Sequence, residues 1–245
     1  MPFPHQNLFL FGLSEASRDS LMSRATMISL PRRTILYEAN WLPRFIHFLT
    51  SGIASVVISM IDGQTAEVGM IGCEGMVGAV HLLGSSPVPT NCFIQIEATA
   101  VRISLSDMQN AFSLSAEIRR RVLDCVQQQS NSMSKVAGCN RLHEATARLA
   151  RWLLTAQDGT QSDFLDFTQE YLAEMIGTQR TTVTGIAGIL QNRGLISYSR
   201  GRVHIISRQG LMAAACECSQ SRGTQQGFQT RNAAFSSLPA QYHRR

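Results

Sequence analysis

The 245-residue sequence has no apolar stretch that approaches the length of a membrane span. Residues 1–13 are apolar but carry no basic region and no small-residue cleavage site, which argues against a secretory signal peptide. The cysteines are scattered and do not form a regular disulfide framework; they are Cys73, Cys92, Cys125, Cys139, Cys216 and Cys218. We therefore expect a reduced, cytoplasmic protein that has no membrane partner.

Residue constellations typical of enzymes are also missing. The sequence has no Ser/His/Asp arrangement with recognisable spacing, no phosphate-binding glycine loop and no cluster of carboxylates. His47, His81 and His204 lie in strand or loop patterns, where a packed or solvated histidine is the simpler interpretation. We expect a protein without enzymatic activity.

One segment near the C-terminus lacks acidic residues. Residues 177–208 contain five arginines and no Asp or Glu, whereas the acids of that region all lie upstream of residue 177. The formal net charge of the chain is +5. A basic surface on one side of a domain is typical of proteins that contact DNA phosphates, and the alternative is a solvated run of charge.

The same region has the pattern of two helices joined by a sharp turn. Apolar residues recur at three- and four-residue steps in residues 172–176 and again in Val183, Ile186, Ile189 and Leu190. Ala173 is small enough for a close helix crossing, and Gly177 can adopt the left-handed conformation that the turn needs. This pattern predicts a helix-turn-helix, and the alternative is an ordinary αα-hairpin within a core.

The exposed face of the second predicted helix carries hydrogen-bond donors and methyl groups. Arg180 suits guanine, Gln179 suits adenine or a phosphate, and Thr181 or Thr184 can contact a thymine methyl. Thr178 and Thr182, near the helix N-terminus, are expected at backbone phosphates. A hairpin over residues 195–206 with its turn at Arg200-Gly201 completes a winged helix, and we expect Arg200 and Arg202 to contact phosphates from this wing.

The N-terminal half is rich in short, β-branched or alternating segments. We predict strands at residues 34–37, 45–49, 54–58, 67–71, 92–96 and 100–104, after a helix at about 14–22. Glycine-containing turns separate these segments, one of them a predicted hairpin turn at Asp62-Gly63. Short strands at near-regular spacing predict an antiparallel roll or barrel.

From Ser106 to about Val136 the pattern becomes helical, and Gly138-Cys139-Asn140 is a candidate hinge. A heptad seam follows this run, and it predicts a dimerisation helix. The alternative is a helix face that packs on its own domain. The residues of the seam are Ile118, Val122, Cys125, Gln129, Ser132 and Val136.

We therefore divide the chain into a sensory roll (8–106), a dimerisation helix with its hinge (107–140), a winged helix (141–211) and a basic tail (212–245). The tail is rich in Gln, Ser and Gly, and we expect it to be disordered. It begins with a Cys216-x-Cys218 pair, which is either half of a metal site, a redox pair or simply two tail cysteines. We take the last of these, and expect no metal site.

These motifs, taken in order from about Leu8 to Leu211, resemble the Crp/Fnr family of bacterial transcription regulators. The resemblance rests on residues 48–52, Asp62-Gly63, residues 72–78 and above all residues 172–183. It implies an α+β protein with a cyclic-nucleotide-binding-like β-roll, a dimerisation helix and a Crp-type winged helix. It also implies an effector pocket in the roll, for which the matching positions are Gly72, Glu74, Gly75, Met76, Asn91 and Cys92.

The chain departs from the best-known members of that family in both the effector pocket and the reading helix. Cyclic-nucleotide-binding members neutralise the phosphate with an arginine, but residues 73–100 contain neither Arg nor Lys. The chain has no cysteine before Cys73 for an iron–sulfur cluster, and Pro2, Cys73 and His81 do not match the spacing of haem-binding members. In the reading helix, Thr181 and Gly185 replace a Glu and an Arg, so the family's usual half-site is not expected.

The sequence thus predicts a homodimeric regulator that binds a palindromic operator in double-stranded DNA. We expect an unknown small-molecule effector other than cAMP, no haem or iron–sulfur cofactor, and contact with RNA polymerase if the protein is an activator. The rival interpretation is a sensory module whose winged helix contacts a protein, and a steep fall of DNA affinity with salt distinguishes the two.

Overall fold

Ten strands and eight helices follow each other in the part of the chain that the structure, a computed structural model, describes: residues 7–61, 63, 65–160 and 162–222. The strands are β1 (Thr26–Leu30), β2 (Ile35–Tyr37), β3 (Phe45–Leu49), β4 (Ile53–Ser59), β5 (Thr65–Ile71), β6 (Thr90–Ile96), β7 (Ala98–Ser104), β8 (Phe164–Asp166), β9 (Ile196–Ser199) and β10 (Arg202–Ile205). The helices are α1 (Leu8–Phe11), α2 (Glu15–Met22), α3 (Leu105–Leu114), α4 (Ala116–Leu142), α5 (Ala145–Thr160), α6 (Gln169–Ile176), α7 (Arg180–Asn192) and α8 (Arg208–Ala214).

The N-terminal strands form two antiparallel sheets, in the orders β1-β7-β3 and β2-β6-β4-β5. Apolar side chains from both sheets form a shared buried cluster, which includes Leu30, Leu49, Val56, Cys92 and Ile94. This arrangement confirms the predicted antiparallel roll. The predicted turn at Asp62-Gly63 is only partly testable, because Asp62 lies outside the described residues.

A second cluster lies where four helices pack on the roll. Phe9 and Leu10 of α1 and Met108 of α3 are buried there, together with residues of β3, β7 and α4. The helical run predicted from Ser106 is broken at Ser115, whose extended backbone ends α3 and whose hydroxyl accepts from the Ile118 amide to begin α4. Helix α4 then continues through Gly138-Cys139-Asn140 to Leu142, so the break predicted at residues 138–140 was wrong and the helix ends at the His143 cap.

The winged helix has its own core around Trp152 of α5, which makes edge contacts with Phe167 and Tyr171 at ring distances of 4.9 and 6.3 Å. This core extends into the roll, because Ile53, Val57 and Met70 belong to the same cluster. The wing is a three-stranded sheet, β8-β10-β9, of which β8 was not predicted from the sequence. Of the predicted disordered tail, residues 212–222 contain the end of α8 and a short 3₁₀ helix, Glu217–Arg222, and residues 223–245 lie outside the described part.

Helices long and apolar enough to span a bilayer are absent from the described residues.

Candidate DNA-binding site

The turn between α6 and α7 has the geometry that the sequence predicts. Thr168 caps α6, since its hydroxyl accepts from the Tyr171 amide. Gly177 ends the helix in the left-handed region, at φ 60° and ψ 55°, and the next amide, of Thr178, donates to the Ala173 carbonyl at 2.9 Å. This is a glycine C-cap, which fixes the direction in which α7 leaves the turn.

Helix α7 is buried on one side and exposed on the other. Val183, Ile186 and Leu190 are at most 6% exposed and hold the helix on the domain core. Ile189, which the sequence assigned to the same face, is 51% exposed instead, because the contact face follows residues 183, 186, 187 and 190. The four predicted reading residues and the predicted phosphate contact Thr182 are all exposed on the open side; the reading residues are Gln179, Arg180, Thr181 and Thr184.

The first turn of α7 keeps its backbone amides available. Gln179 is the N-cap residue but makes no side-chain capping hydrogen bond, and the first turn contains no acid. Amides at such a helix start point outward and favour an anion. Thr178, just before the cap, is half-buried, and Thr182 is exposed, so both lie beside this end as predicted.

The hydroxyl of Thr184 is engaged inside the helix-turn-helix. It lies 2.7 Å from Oε1 of Gln169 and 3.0 Å from the carbonyl oxygen of Arg180. A donor held in this way is not available to a base, so the methyl group is what this side chain offers on the reading face.

The wing is a tight hairpin whose turn residues, Arg200 and Gly201, have φ values of 50° and 80°. Arg200 is exposed at the tip. Arg202 on β10 is paired with Asp166 on β8, its register partner, with Nε and Oδ1 2.6 Å apart. The hydrogen bond from Arg202 lowers the pKa of Asp166 from its usual value.

The basic surface is therefore less uniform than the acid-free sequence suggested. Arg202 is neutralised by Asp166, and Arg208 contacts Asp158 with Nη2 and Oδ1 2.8 Å apart. Both acids precede residue 177 in the sequence, but the fold places them next to these two arginines. Arg180 and Arg200 are the exposed cations of the reading helix and the wing tip.

The predicted effector pocket is divided between two places. In the loop, the Gly72 amide donates to Glu74 Oε1 at 3.1 Å, and Met76 is fully buried in the roll–helix core. Gly75 lies beside Gln129 and Cys125 of α4. The loop is thus filled by its own side chains and by α4.

Asn91 and Cys92 of β6 line a different cleft, of about 300 Å³, which also includes residues of β2 and α6. The Asn91 side chain accepts from the Ala39 amide at 2.9 Å, and Cys92 is fully buried, which raises the pKa of its thiol. In the same cleft Arg32 lies over the rings of Phe167 and Tyr171 at 5.0 and 5.1 Å. The cleft thus lies between the roll and the first helix of the helix-turn-helix.

A buried polar group reinforces that junction. Glu67 of β5, 3% exposed, accepts from Ser55 at 2.7 Å and from Gln95 at 3.3 Å, and Met175 of α6 lies against Ser55. Since a buried carboxylate needs its partners, this network links the position of α6 to that of the roll strands.

The N-terminal half of the heptad seam of α4 faces the roll of its own chain, which is the alternative that the sequence left open, and is not available to a partner. Ile118, Val122 and Cys125 are buried against the roll of their own chain, and Gln129 donates to the Met76 carbonyl at 2.8 Å. Ser132 and Val136 are half-buried and line a small cavity with Glu67 and Met70. A heptad pattern specifies an apolar face but not what covers it.

Known proteins support the assignment of both halves. Residues 27–114 match the cyclic nucleotide-binding domain family, and residues 147–214 match the Crp-like helix-turn-helix domain family. The two matches together span more than half of the chain. A comparison with curated proteins found no match.

Solved structures share the whole architecture at low identity. A protein described as a transcriptional regulator of the Crp/Fnr family from Eubacterium rectale superposes with a TM-score of 0.71 and 16% identity, over 87% of this chain and 98% of that one. The c-di-GMP-responsive global regulator CLP of Xanthomonas campestris gives 0.66 and 16%, over 79% and 100%. FixK2 of Bradyrhizobium japonicum gives 0.64 and 14%, over 78% and 98%.

Since both domain matches and the overall fold agree, the chain belongs to the Crp/Fnr family of transcription regulators, with a cyclic-nucleotide-binding-like sensory domain and a helix-turn-helix DNA-binding domain.

Proposed function

We propose that the protein acts as a homodimer on a palindromic operator, with α7 of each subunit in the major groove. The observation that carries this proposal is the exposed face of α7, which presents Gln179, Arg180 and Thr181 from a helix held rigidly by its buried side. The available amides of the first turn lie at the same end, where a phosphate would be bound.

Each reading residue has a distinct role in this proposal. Arg180 contacts guanine O6 and N7 through its guanidinium fork, and Gln179 contacts adenine or a phosphate. Thr181 and Thr184 contact thymine methyl groups. Thr184 does so through its own methyl group, because its hydroxyl is hydrogen-bonded to Gln169. Thr178 and Thr182 bind backbone phosphates, which position the helix without reading sequence.

The subunits pair through the outward face of α4. Since the roll covers the N-terminal half of the heptad seam, we place the contact on the opposite stripe of this 27-residue helix. Leu123, which is 48% exposed, and Ala137 are the apolar residues of that stripe, and its other residues are polar or charged. Its residues, all exposed, are Arg120, Leu123, Gln127, Ser130, Ser134 and Ala137.

The effector that we infer is not a cyclic nucleotide. The Glu74 carboxylate is bound within its own loop, and residues 73–100 supply no cation for a phosphate buried at that loop. Arg32 and Arg33 line the separate cleft beside Asn91. We likewise assign neither haem nor an iron–sulfur cluster. A ligand that enters the cleft between β6 and α6 would act directly on the helix-turn-helix, and a thermal-shift screen identifies such a ligand by a raised unfolding temperature.

In an activator, the DNA-bound dimer would also contact RNA polymerase, and the place of action is the cytoplasm, where the operator is.

Selection of binding sites from random double-stranded DNA tests the proposal. We expect two inverted half-sites whose centres lie about 10 base pairs, or a multiple of this, apart. Enrichment of a single half-site contradicts the dimer. Absence of any enrichment, with DNA affinity insensitive to salt, supports the rival interpretation that the winged helix contacts a protein.

A further inference from the structure

Four potential metal ligands meet at the junction between α4 and the segment that follows the winged helix. They are Cys139, His143, Cys216 and Cys218, and their ligand atoms all lie within 4.8 Å of one another. The Sγ atoms of Cys139 and Cys216 are 3.5 Å apart, and Sγ of Cys218 is 3.8 Å from Nδ1 of His143.

Two separate pieces of chain supply these ligands. Cys139 lies in the last turn of α4, and His143 is the residue that caps this helix, with its amide donating to the Cys139 carbonyl at 3.1 Å. Cys216 and Cys218 follow α8, where the 3₁₀ helix Glu217–Arg222 packs against α4 and α5. The junction shields the site, since Cys139 and Cys216 are 1% and 7% exposed.

The histidine is oriented by a carboxylate. Nε2 of His143 lies 3.3 Å from Oε1 of Glu217, which leaves Nδ1 directed at the thiols. Metal-binding histidines usually donate their second N–H to a carboxylate in this way, because it fixes the tautomer and the ring orientation.

We propose that Cys139, His143, Cys216 and Cys218 bind one Zn²⁺ ion per chain. A tetrahedral zinc with three thiolates and one imidazole places its ligand atoms about 3.5–3.8 Å apart, which is the spacing of the two measured pairs. Three soft thiolates and one imidazole favour zinc over magnesium or calcium, and four protein ligands leave no open position for catalysis. Binding exchanges the three thiol protons for the ion.

A disulfide between Cys139 and Cys216 is the competing use of these residues. It would engage two of the four side chains and leave Cys218, His143 and the Glu217 contact unexplained. The convergence of all four ligand atoms favours the ion.

The zinc would act as a clamp between two parts of the regulator. The helix that carries the exposed dimer stripe ends at Leu142, and Cys216 lies just beyond the last helix of the winged domain. An ion held by both would fasten the end of the DNA-binding domain to the end of α4. Its removal would loosen this junction while the buried cluster around Trp152 stayed in place.

Metal analysis of full-length protein, purified with a thiol reductant, tests the site. After chelation and reloading with Zn²⁺, we expect about one zinc per chain in the wild type and loss of this zinc in Cys218→Ser and His143→Ala. Cys73→Ser is the matched control, since Cys73 lies in the roll loop outside the cluster, and it should retain the metal. We also expect chelation to lower the unfolding temperature of the wild type and of Cys73→Ser, but not of Cys218→Ser.

Cobalt loading of the wild type gives a readout that needs no variant. Co²⁺ bound by three thiolates and an imidazole gives tetrahedral d–d bands and thiolate-to-cobalt charge transfer. Octahedral bands alone, zinc binding equal in wild type and Cys218→Ser, or a Cys139–Cys216 disulfide in protein alkylated at lysis would each overturn the proposal. Iron with inorganic sulfide in place of zinc would overturn it as well.

Discussion

Replacing Asp166 by Asn should strengthen DNA binding, although the substitution lies outside the reading helix. Asp166 pairs with Arg202 across β8 and β10, with 2.6 Å between Oδ1 and Nε, and both side chains are more than 60% exposed. In the wild type the Arg202 charge is therefore already neutralised when DNA arrives. Asn keeps the size of the side chain and removes its charge, so Arg202 becomes available to a phosphate.

The magnitude follows from counterion release. Each additional phosphate contact steepens the slope of log K against log salt by about 0.9. A dimer gains one contact per half-site, so the slope should steepen by about 1.8. Between about 200 and 50 mM salt the affinity advantage of Asp166→Asn over the wild type should grow roughly tenfold.

Fluorescence anisotropy with one operator duplex, measured over a series of salt concentrations, gives these slopes. Asp107→Asn is the matched control, because it removes the same charge from an ion pair with Arg24 in the roll, away from the wing. Its slope should equal that of the wild type. If Asp166→Asn has the slope of this control, or a flatter one, Arg202 is not a latent phosphate contact and the account of the wing is wrong.

Two further predictions concern stability. Gly177→Ala should destabilise the protein by about 1 kcal/mol because of its left-handed backbone, whereas Gly188→Ala, within α7, should stabilise it by about 0.5–1 kcal/mol. An added Cβ meets no atom within 4 Å at either site, so the two substitutions differ only in the backbone conformation of the residue. If both changed the free energy of unfolding in urea in the same direction, the turn geometry would be contradicted. Burial, reinforced by the charge of Arg102, lowers the pKa of His47 to about 4, and its Nδ1 has no partner among the described residues. Below about pH 6.5 the His47 imidazole is protonated in the unfolded state but not in the folded state, which favours unfolding. At pH 5 the wild type should therefore have lost about 2 kcal/mol of its free energy of unfolding, whereas His47→Gln should not show this loss. An equal loss in both proteins would refute the burial of a neutral imidazole.

Features defined by local pattern could be predicted from the sequence. The strand over residues 45–49 and the wing turn at Arg200-Gly201 have the predicted positions, since alternation and turn chemistry act within a few residues. Strand β1 was missed because it lies at the edge of its sheet and buries only Leu30, which leaves no alternation to detect. Strand β8 was missed because its three residues bury only Leu165 and include no β-branched residue.

Features that depend on distant contacts could not be predicted in the same way. The apolar face of α4 was visible in the sequence, but nothing local indicates whether a second helix or the roll of the same chain covers it. Asp166 neutralises Arg202 across 36 residues of sequence. Cys139 and Cys216 are 77 residues apart, so the Cys216-x-Cys218 pair carried no sign of its two further ligands.

The central claim is that α7 reads DNA bases through Arg180, and parallel selections from random DNA with wild type and Arg180→Ala test it most directly. We expect the variant to lose base preference at one position of each half-site, with the other positions unchanged. Its affinity for the wild-type site should fall by about 1–3 kcal/mol. Identical base preferences in the two selections would contradict the claim.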